Sequence, residues 1–200
     1  MKGKEKATRP PSRVRATGSG VNTRKLASPS RRVVVGCLVG WSDSGKTALA
    51  EATLRLLAER GVPCAALKVT KHPGDRDAPG KDSRRFFDSG AESAILGGGE
   101  LHLSTRREAP PDRDFLARLF PDARVVLVEG ARIDGAPTVL VAGRAETATE
   151  LKFPLETVDA LVTDRSALAE AARSRGLSVL APLDAEALSL FLEAWHGKRG

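Results

Sequence analysis

A glycine-rich stretch at residues 40–47 combines the residue types that hold a phosphate group. Its sequence, Gly-Trp-Ser-Asp-Ser-Gly-Lys-Thr, fits the P-loop pattern G-x-x-x-x-G-K-[ST] at every required position. Glycines let successive backbone N–H groups turn towards phosphate oxygens, the lysine adds a positive charge, and the threonine hydroxyl is suited to Mg²⁺. The residues predicted to bind nucleotide are Gly40, Trp41, Ser42, Asp43, Ser44, Gly45, Lys46, Thr47 and Ala48.

An acidic residue follows a second apolar run. Residues 124–128 are mostly apolar, and Glu129 and Gly130 come directly after them. In P-loop nucleotidases an acid at the end of a neighbouring strand contacts Mg²⁺ directly or through water. Glu129 is therefore predicted to hold Mg²⁺ together with Thr47. The alternative is an ordinary glutamate at the end of a strand.

The loop at residues 71–83 carries further acids. It follows a predicted strand, so in an open parallel sheet it falls at the carboxyl edge, beside the phosphate site. Asp75 and Asp77 are candidates for catalysis alongside Lys46, because they can hold Mg²⁺-bound water or position a nucleophile. A solvated surface loop is the alternative, and the spacing does not fit a calcium loop.

Apolar runs alternate with amphipathic stretches around these residues. Strands are predicted at residues 33–39, 62–70, 124–128, 138–141, 158–163 and 178–180, with an antiparallel hairpin near 93–105. Helices are predicted at residues 45–60, 81–89, 112–120 and 166–175 and near the C-terminus. On the first helix, Leu49, Ala52 and Leu56 are predicted to face the core. The alternation predicts an α/β fold, a P-loop NTPase-like three-layer sandwich with a mostly parallel sheet.

Positive charge is concentrated at the N-terminus. Residues 1–32 hold ten Lys and Arg residues and one acid, whereas the whole chain has a formal net charge of +7. This segment is rich in Pro, Gly and Ser and lacks apolar periodicity, which predicts a disordered basic tail. Residues 33–200 are predicted to form the nucleotide-binding domain. Nucleic acid is disfavoured as a partner because no aromatic residue is interleaved for base stacking.

The chain is predicted to be cytoplasmic. It has no run of about 18 uncharged apolar residues that would predict a membrane span, and no apolar secretory signal. Cys37 and Cys64 lie in apolar runs without the spacing of a zinc site, which predicts buried structural thiols.

Several motifs recur in one order in a known family. They are residues 40–47, Lys68, the Pro-Gly-Lys-Asp-Ser stretch at 79–83 after the Asp-x-Asp pair, Gly90-Ala91, and Val128-Glu129-Gly130. On these residues, the chain from about 33 to 195 resembles the molybdopterin-guanine dinucleotide biosynthesis adaptor (MobB) family. It departs from the family pattern at Val69 and at Ala131-Arg132.

The resemblance implies a function. Members of this family bind GTP, hydrolyse it weakly with Mg²⁺, and are typically homodimers. They act as adaptors for the guanylyltransferase that joins GMP to molybdenum-bound molybdopterin. Asp164 is a candidate contact for the guanine base, since a carboxylate accepts hydrogen bonds from the base N–H groups. A helix cap at Thr163 or Asp164 is the alternative.

Two other classes of protein remain open. Arg84, Arg85, Arg106 and Arg107 would suit the lid of a P-loop small-molecule kinase. The basic tail would suit a nucleic-acid-associated ATPase. The P-loop itself does not distinguish GTP from ATP.

Overall fold

The computed structural model describes residues 33–70, 85, 88–90, 93–97, 100–104 and 109–198, all within the unit Arg31–Gly200. Only the backbone is described for residues 93–97, 100–104 and 196–198. The predicted tail at 1–32 and the acidic loop at 71–83 lie outside the described residues.

The elements follow the predicted alternation closely. The strands are β1 (Val34–Val39), β2 (Cys64–Lys68), β3 (Ser93–Gly97), β4 (Glu100–Ser104), β5 (Val125–Glu129), β6 (Thr138–Val141), β7 (Ala160–Val162) and β8 (Ser178–Leu180). The α-helices are α1 (Lys46–Glu59), α2 (Arg113–Leu119), α3 (Ser166–Arg173) and α4 (Ala185–Lys198). Residues 85 and 88 are also helical, but most of the helix predicted at 81–89 lies outside the described residues. Among the described residues, no helix has the length and apolar character needed to cross a membrane.

Six strands form one sheet in the order β2-β5-β1-β6-β7-β8, and every neighbouring pair is parallel. The predicted hairpin is confirmed as the antiparallel pair β3–β4. In the described part of the chain this pair is a separate two-stranded sheet. Because all six main strands run the same way, the loops that follow them meet at one carboxyl edge.

The sheet is the middle of three layers. On one face, alternate side chains such as Leu38 and Leu127 pack with α1 and α4 through Leu49, Leu188 and Leu192. On the other face, α2 and α3 pack against the sheet in two clusters. Both faces are covered, which explains why the strands read as continuous apolar runs. The predicted α/β sandwich with a mostly parallel sheet is confirmed.

The buried face of α1 differs from the predicted one. Leu49 is buried as expected, but Ala52 and Leu56 are only half-buried, and the buried stripe continues through Thr53 and Leu57. Thr53 is fully buried because its hydroxyl donates a hydrogen bond to the carbonyl of Leu49, at 2.8 Å. A polar residue can lie in the core when its hydrogen bond is made within the helix.

The two cysteines are free thiols. Cys37 is buried in β1, and burial raises the pKa of its thiol to about 11. Cys64, at the start of β2, is half-buried, and burial raises its pKa as well. Raised pKa values keep both thiols protonated and unreactive near neutral pH, in line with a structural role.

Candidate functional site

The glycine-rich loop joins the carboxyl end of β1 to the N-terminus of α1. Gly40 and Gly45 have positive φ angles of 152° and 96°. A Cβ atom at Gly40 would lie 2.5 Å from the carbonyl oxygen of Val141, so this position requires glycine. At Gly45 a Cβ atom would meet no described atom within 4 Å, which leaves the start of α1 open to an anion.

Lys46 curls back over this loop. Its ammonium donates hydrogen bonds to the carbonyl of Trp41 at 2.5 Å and to the hydroxyl of Ser44 at 3.3 Å. Burial lowers the pKa of Lys46, and the charges of Lys152 and Lys68 act in the same direction, whereas Glu129 and Asp43 oppose them. Burial thus disfavours the charged form of Lys46, and an anion placed beside the ammonium would stabilise it.

Thr47 and Glu129, the two residues predicted to ligate Mg²⁺, lie together. The Thr47 hydroxyl donates a hydrogen bond to the Glu129 carboxylate, at 2.9 Å, although 82 residues separate them in sequence. The parallel register of β1 and β5 places Glu129 level with Leu38 at the carboxyl edge. The Lys68 ammonium lies 3.7 Å from the same carboxylate.

Gly130 lets the chain turn away directly after Glu129. Its φ is 93°, and a Cβ atom there would lie 2.3 Å from the carbonyl oxygen of Val69. The turn is fixed on both sides, because the Gly130 N–H donates to the carbonyl of Leu38 and the Val69 N–H donates to the carbonyl of Glu129. The position of the Glu129 carboxylate thus depends on glycine at 130.

These residues surround a cavity of about 730 Å³, which we call the loop cavity. It is lined by Gly40, Ser42, Asp43, Ser44, Gly45, Lys46, Thr47, Ala48, Lys68, Val69, Thr70, Glu129, Gly130 and Lys152. Eight of the nine residues predicted to bind nucleotide thus lie around one space. The ninth, Trp41, is adjacent and contributes its carbonyl to Lys46.

A second cavity, of about 350 Å³, adjoins the first; we call it the flank cavity. Both cavities are bordered by residues 43–45 and by Ala48. The flank cavity is otherwise lined by Leu49, Val141, Gly143, Arg144, Val162, Thr163, Asp164, Pro182 and Leu183. Its walls are largely apolar, and polar side chains such as those of Arg144, Thr163 and Asp164 also line it.

Thr163 and Asp164, for which the sequence left a base contact or a helix cap open, lie between β7 and α3. The Thr163 hydroxyl accepts a hydrogen bond from the Arg165 N–H at 3.1 Å, which supports the turn into α3. The Asp164 carboxylate is largely exposed and lies 3.7 Å from the Arg165 side chain. Neither residue caps α3, because its N-cap position is Arg165 and no described side chain makes a cap hydrogen bond there. Asp164 lines the flank cavity.

Lys152 is a residue of the site that was not predicted from the sequence. This lysine follows β6 in a long loop that carries no recognised motif, yet it lines the loop cavity with Lys46 and Lys68. Only the folded chain brings these three described lysines together, because Lys68 ends β2 while Lys46 and Lys152 follow β1 and β6. The segment also reaches the P-loop directly, since the Trp41 indole N–H donates to the carbonyl of Glu150 at 2.9 Å.

Among the described residues, no group of three or more His, Cys, Asp and Glu side chains is placed to hold a metal ion. Mg²⁺ does not need such a group, because it usually takes one or two protein oxygens and completes its shell with waters and phosphates. Thr47 and Glu129 offer two oxygens of that kind. Asp75 and Asp77 lie outside the described residues, so their predicted catalytic role stays a prediction.

A parallel sheet whose first strand runs through a glycine-rich loop into a helix defines the P-loop NTPase-like class of α/β proteins. Within that class the chain belongs to the MobB family, because the family model described as "Molybdopterin guanine dinucleotide synthesis protein B" matches residues 34–164.

Individual relatives agree with this assignment. A molybdopterin-guanine dinucleotide biosynthesis adapter protein from Haemophilus influenzae is 31% identical over 128 residues, which cover 62% of this chain and 69% of the relative. The protein of that name from Escherichia coli is 35% identical over 95 residues, 45% of this chain and 54% of the relative. A crystal structure of Bacillus subtilis MobB superimposes with a TM-score of 0.57 at 25% identity, covering 80% of this chain and 96% of that one.

Proposed function

We propose that this chain is a GTP-binding adaptor in the biosynthesis of molybdopterin-guanine dinucleotide, with a weak Mg²⁺-dependent GTPase activity. The observation that supports it best is the convergence of Lys46, Thr47 and Glu129 around a glycine-rich loop at the N-terminus of α1. Membership of the MobB family, several of whose relatives are named as adapters, supports the biosynthetic role.

Binding of the phosphates would rest on the loop cavity. Backbone N–H groups of residues 42–46 and the positive end of α1 attract phosphate oxygens. Lys46 would exchange its hydrogen bonds to Trp41 and Ser44 for charge-assisted ones to the ligand, which are stronger. Charge stabilisation and positioning would be the main contributions of this chain to hydrolysis.

Thr47 and Glu129 would hold Mg²⁺, whose chemistry is to neutralise charge developing on the phosphates. Glu129 already accepts a hydrogen bond from Thr47 and lies near Lys68. Asp75 and Asp77 are proposed to position water beside this site. A slow reaction would suit an adaptor, because an adaptor needs the bound state to persist.

The flank cavity is proposed to receive the guanine base. It adjoins the phosphate loop at residues 43–45, as the base must adjoin its phosphates, and its walls offer apolar surface from Leu49 and Val162. Asp164 would accept hydrogen bonds from the guanine N–H groups, which adenine does not match. GTP would then be preferred over ATP.

The proposed partner is the guanylyltransferase that uses the same nucleotide chemistry, and the chain is proposed to act in the cytoplasm as a homodimer. These statements extend to this chain what the family resemblance implies.

The test measures affinity for GTP, GDP and ATP with Mg²⁺ by calorimetry, together with capture of a guanylyltransferase by the purified protein. We expect tighter binding of GTP than of ATP, slow release of phosphate and retention of the guanylyltransferase. Failure of the wild-type protein to bind any nucleotide would refute the proposal. Transfer of labelled phosphate to a small-molecule acceptor would instead establish the kinase alternative.

A further inference from the structure

The P-loop carries a long-range contact that the proposed function does not use. Trp41, the second residue of the loop, donates its indole N–H to the carbonyl of Glu150 at 2.9 Å. The two residues are 109 positions apart in sequence. The segment at residues 148–153, between β6 and β7, is thereby attached to the beginning of the phosphate loop.

The same segment is anchored on its other side by the core. Leu151 and Leu155 are buried, 8% and 3% exposed, in the cluster that includes Leu161 and Leu168. The Glu150 carboxylate accepts a hydrogen bond from the Glu146 N–H at 2.9 Å, which closes the preceding turn. The backbone on both sides of residue 152 is therefore held in place.

Lys152 projects from this anchored backbone to the loop cavity. Its ammonium lies 5.9 Å from the centre of the Trp41 ring and 5.7 Å from that of Phe153, within the range of cation–π attraction. Lys68 has Glu129 as a partner, whereas no carboxylate in the described part of the chain pairs with Lys152. A cation without a counter-ion beside a phosphate loop is well placed to receive an anion.

The position of Lys152 indicates which phosphate it would meet. Lys152 lines the loop cavity and not the flank cavity, so it is on the side away from the proposed base. It lies over Trp41, whose carbonyl holds the ammonium of Lys46, the residue that reaches the β- and γ-phosphates in P-loop proteins.

We propose that Lys152, carried to the loop cavity by the Trp41–Glu150 contact, binds the terminal phosphate of the nucleoside triphosphate. The inference rests on the proposed nucleotide binding and extends it. Lys152 would thereby distinguish a triphosphate from a diphosphate.

The test compares affinities for a non-hydrolysable GTP analogue and for GDP, each with Mg²⁺, by calorimetry. We expect Lys152→Met to weaken binding of the analogue about tenfold and binding of GDP less than about twofold, because one charge-assisted contact to the terminal phosphate is lost. Lys152→Arg keeps the charge and is expected to recover most of the affinity. Trp41→Phe removes the indole donor and is expected to weaken binding of the analogue about threefold.

Arg118→Met is the matched control. Arg118 is an exposed cation in the last turn of α2, the helix that precedes β5. This substitution is expected to change neither affinity. Equal losses for the analogue and GDP with Lys152→Met would overturn the assignment to the terminal phosphate. No loss at all, with wild-type binding intact, would overturn the role of Lys152 and leave the proposed function standing. Absence of nucleotide binding by the wild-type protein would remove both.

Discussion

The loop cavity and the flank cavity share residues 43–45 but differ in what else surrounds them. Among the described residues, the loop cavity is lined by three lysines, Lys46, Lys68 and Lys152, and by two acids, Asp43 and Glu129. The flank cavity instead has largely apolar walls from residues such as Leu49, Val141 and Val162, with few polar side chains. The loop cavity can attract an anion, and the flank cavity can recognise the shape and the hydrogen-bonding pattern of a ligand.

Under the proposed function, the two cavities would have different roles in binding one nucleotide. Contacts to phosphate are strong but do not depend on the base, so they supply affinity without selecting between GTP and ATP. A few polar groups in an apolar pocket supply orientation and selectivity. Substitutions in the two cavities should therefore have different signatures, and the following predictions use that contrast.

The largest effect is expected for Lys46→Ala. Loss of the buried ammonium removes a charge-assisted contact and should cost at least ~2 kcal/mol of nucleotide affinity. The loss should be equal for GTP and ATP, because the change lies in the loop cavity. Calorimetry with both nucleotides provides the measurement, with Arg118→Ala as a control for the lost charge. Unchanged affinity would contradict the assignment of the loop cavity to phosphate.

Gly130→Ala should deform the wall of the loop cavity. The new Cβ would lie 2.3 Å from the carbonyl oxygen of Val69 at a φ of 93°, so the free energy of unfolding should fall by about 2 kcal/mol. Gly176→Ala is the matched control: its φ is also positive, at 74°, but nothing lies within 4 Å of the added Cβ. The control should cost only about 1 kcal/mol. Denaturant unfolding of both variants measures the difference. An equal loss of unfolding free energy in the two variants would show that the backbone at Val69 can shift to accommodate the added Cβ.

Asp164→Asn should separate selectivity from affinity. Replacing the carboxylate with an amide weakens acceptance of the guanine N–H groups and should reduce GTP affinity about tenfold, with ATP affinity unchanged. Asp122→Asn, at an exposed position before β5, controls for the change in charge. An equal loss of GTP and ATP affinity would mean that the flank cavity does not distinguish guanine from adenine.

The smallest effect concerns pH. The pKa of Lys46 is lowered in the fold from its ordinary value of 10.5, chiefly by burial. The folded ammonium loses its proton first as pH rises, so between the lowered pKa and 10.5 the unfolded chain binds more protons and the fold gains stability with pH. Below that window the contribution of Lys46 is constant and unfavourable. Unfolding of the ligand-free protein across this alkaline range, compared with Lys46→Met, should show a rise that the variant lacks.

The local features of the fold were predictable from sequence because each is encoded in contiguous residues. β6 and β8 were predicted with the observed bounds, since short apolar runs flanked by polar residues mark buried strands. The P-loop pattern and the acid after β5 were equally local, and the parallel register then brings Thr47 and Glu129 within hydrogen-bonding distance.

The features that the sequence did not reveal depend on distant partners. Lys152 has no motif around it, and its contact with the P-loop depends on Trp41, which is far away along the chain. The buried stripe of α1 was predicted incorrectly because a hydrophobicity pattern treats Thr53 as polar, whereas its hydrogen bond to Leu49 allows burial. Tertiary contacts decide such positions.

The hydrogen bond from Lys46 to the carbonyl of Trp41 has a consequence for turnover. A P-loop whose ammonium is satisfied by its own backbone does not need a nucleotide to remain folded. When a phosphate binds, Lys46 would donate to it in place of the Trp41 carbonyl. When the phosphate leaves, Lys46 would donate to that carbonyl again. Under the proposed function, we therefore expect the protein to exchange its nucleotide without a separate exchange factor.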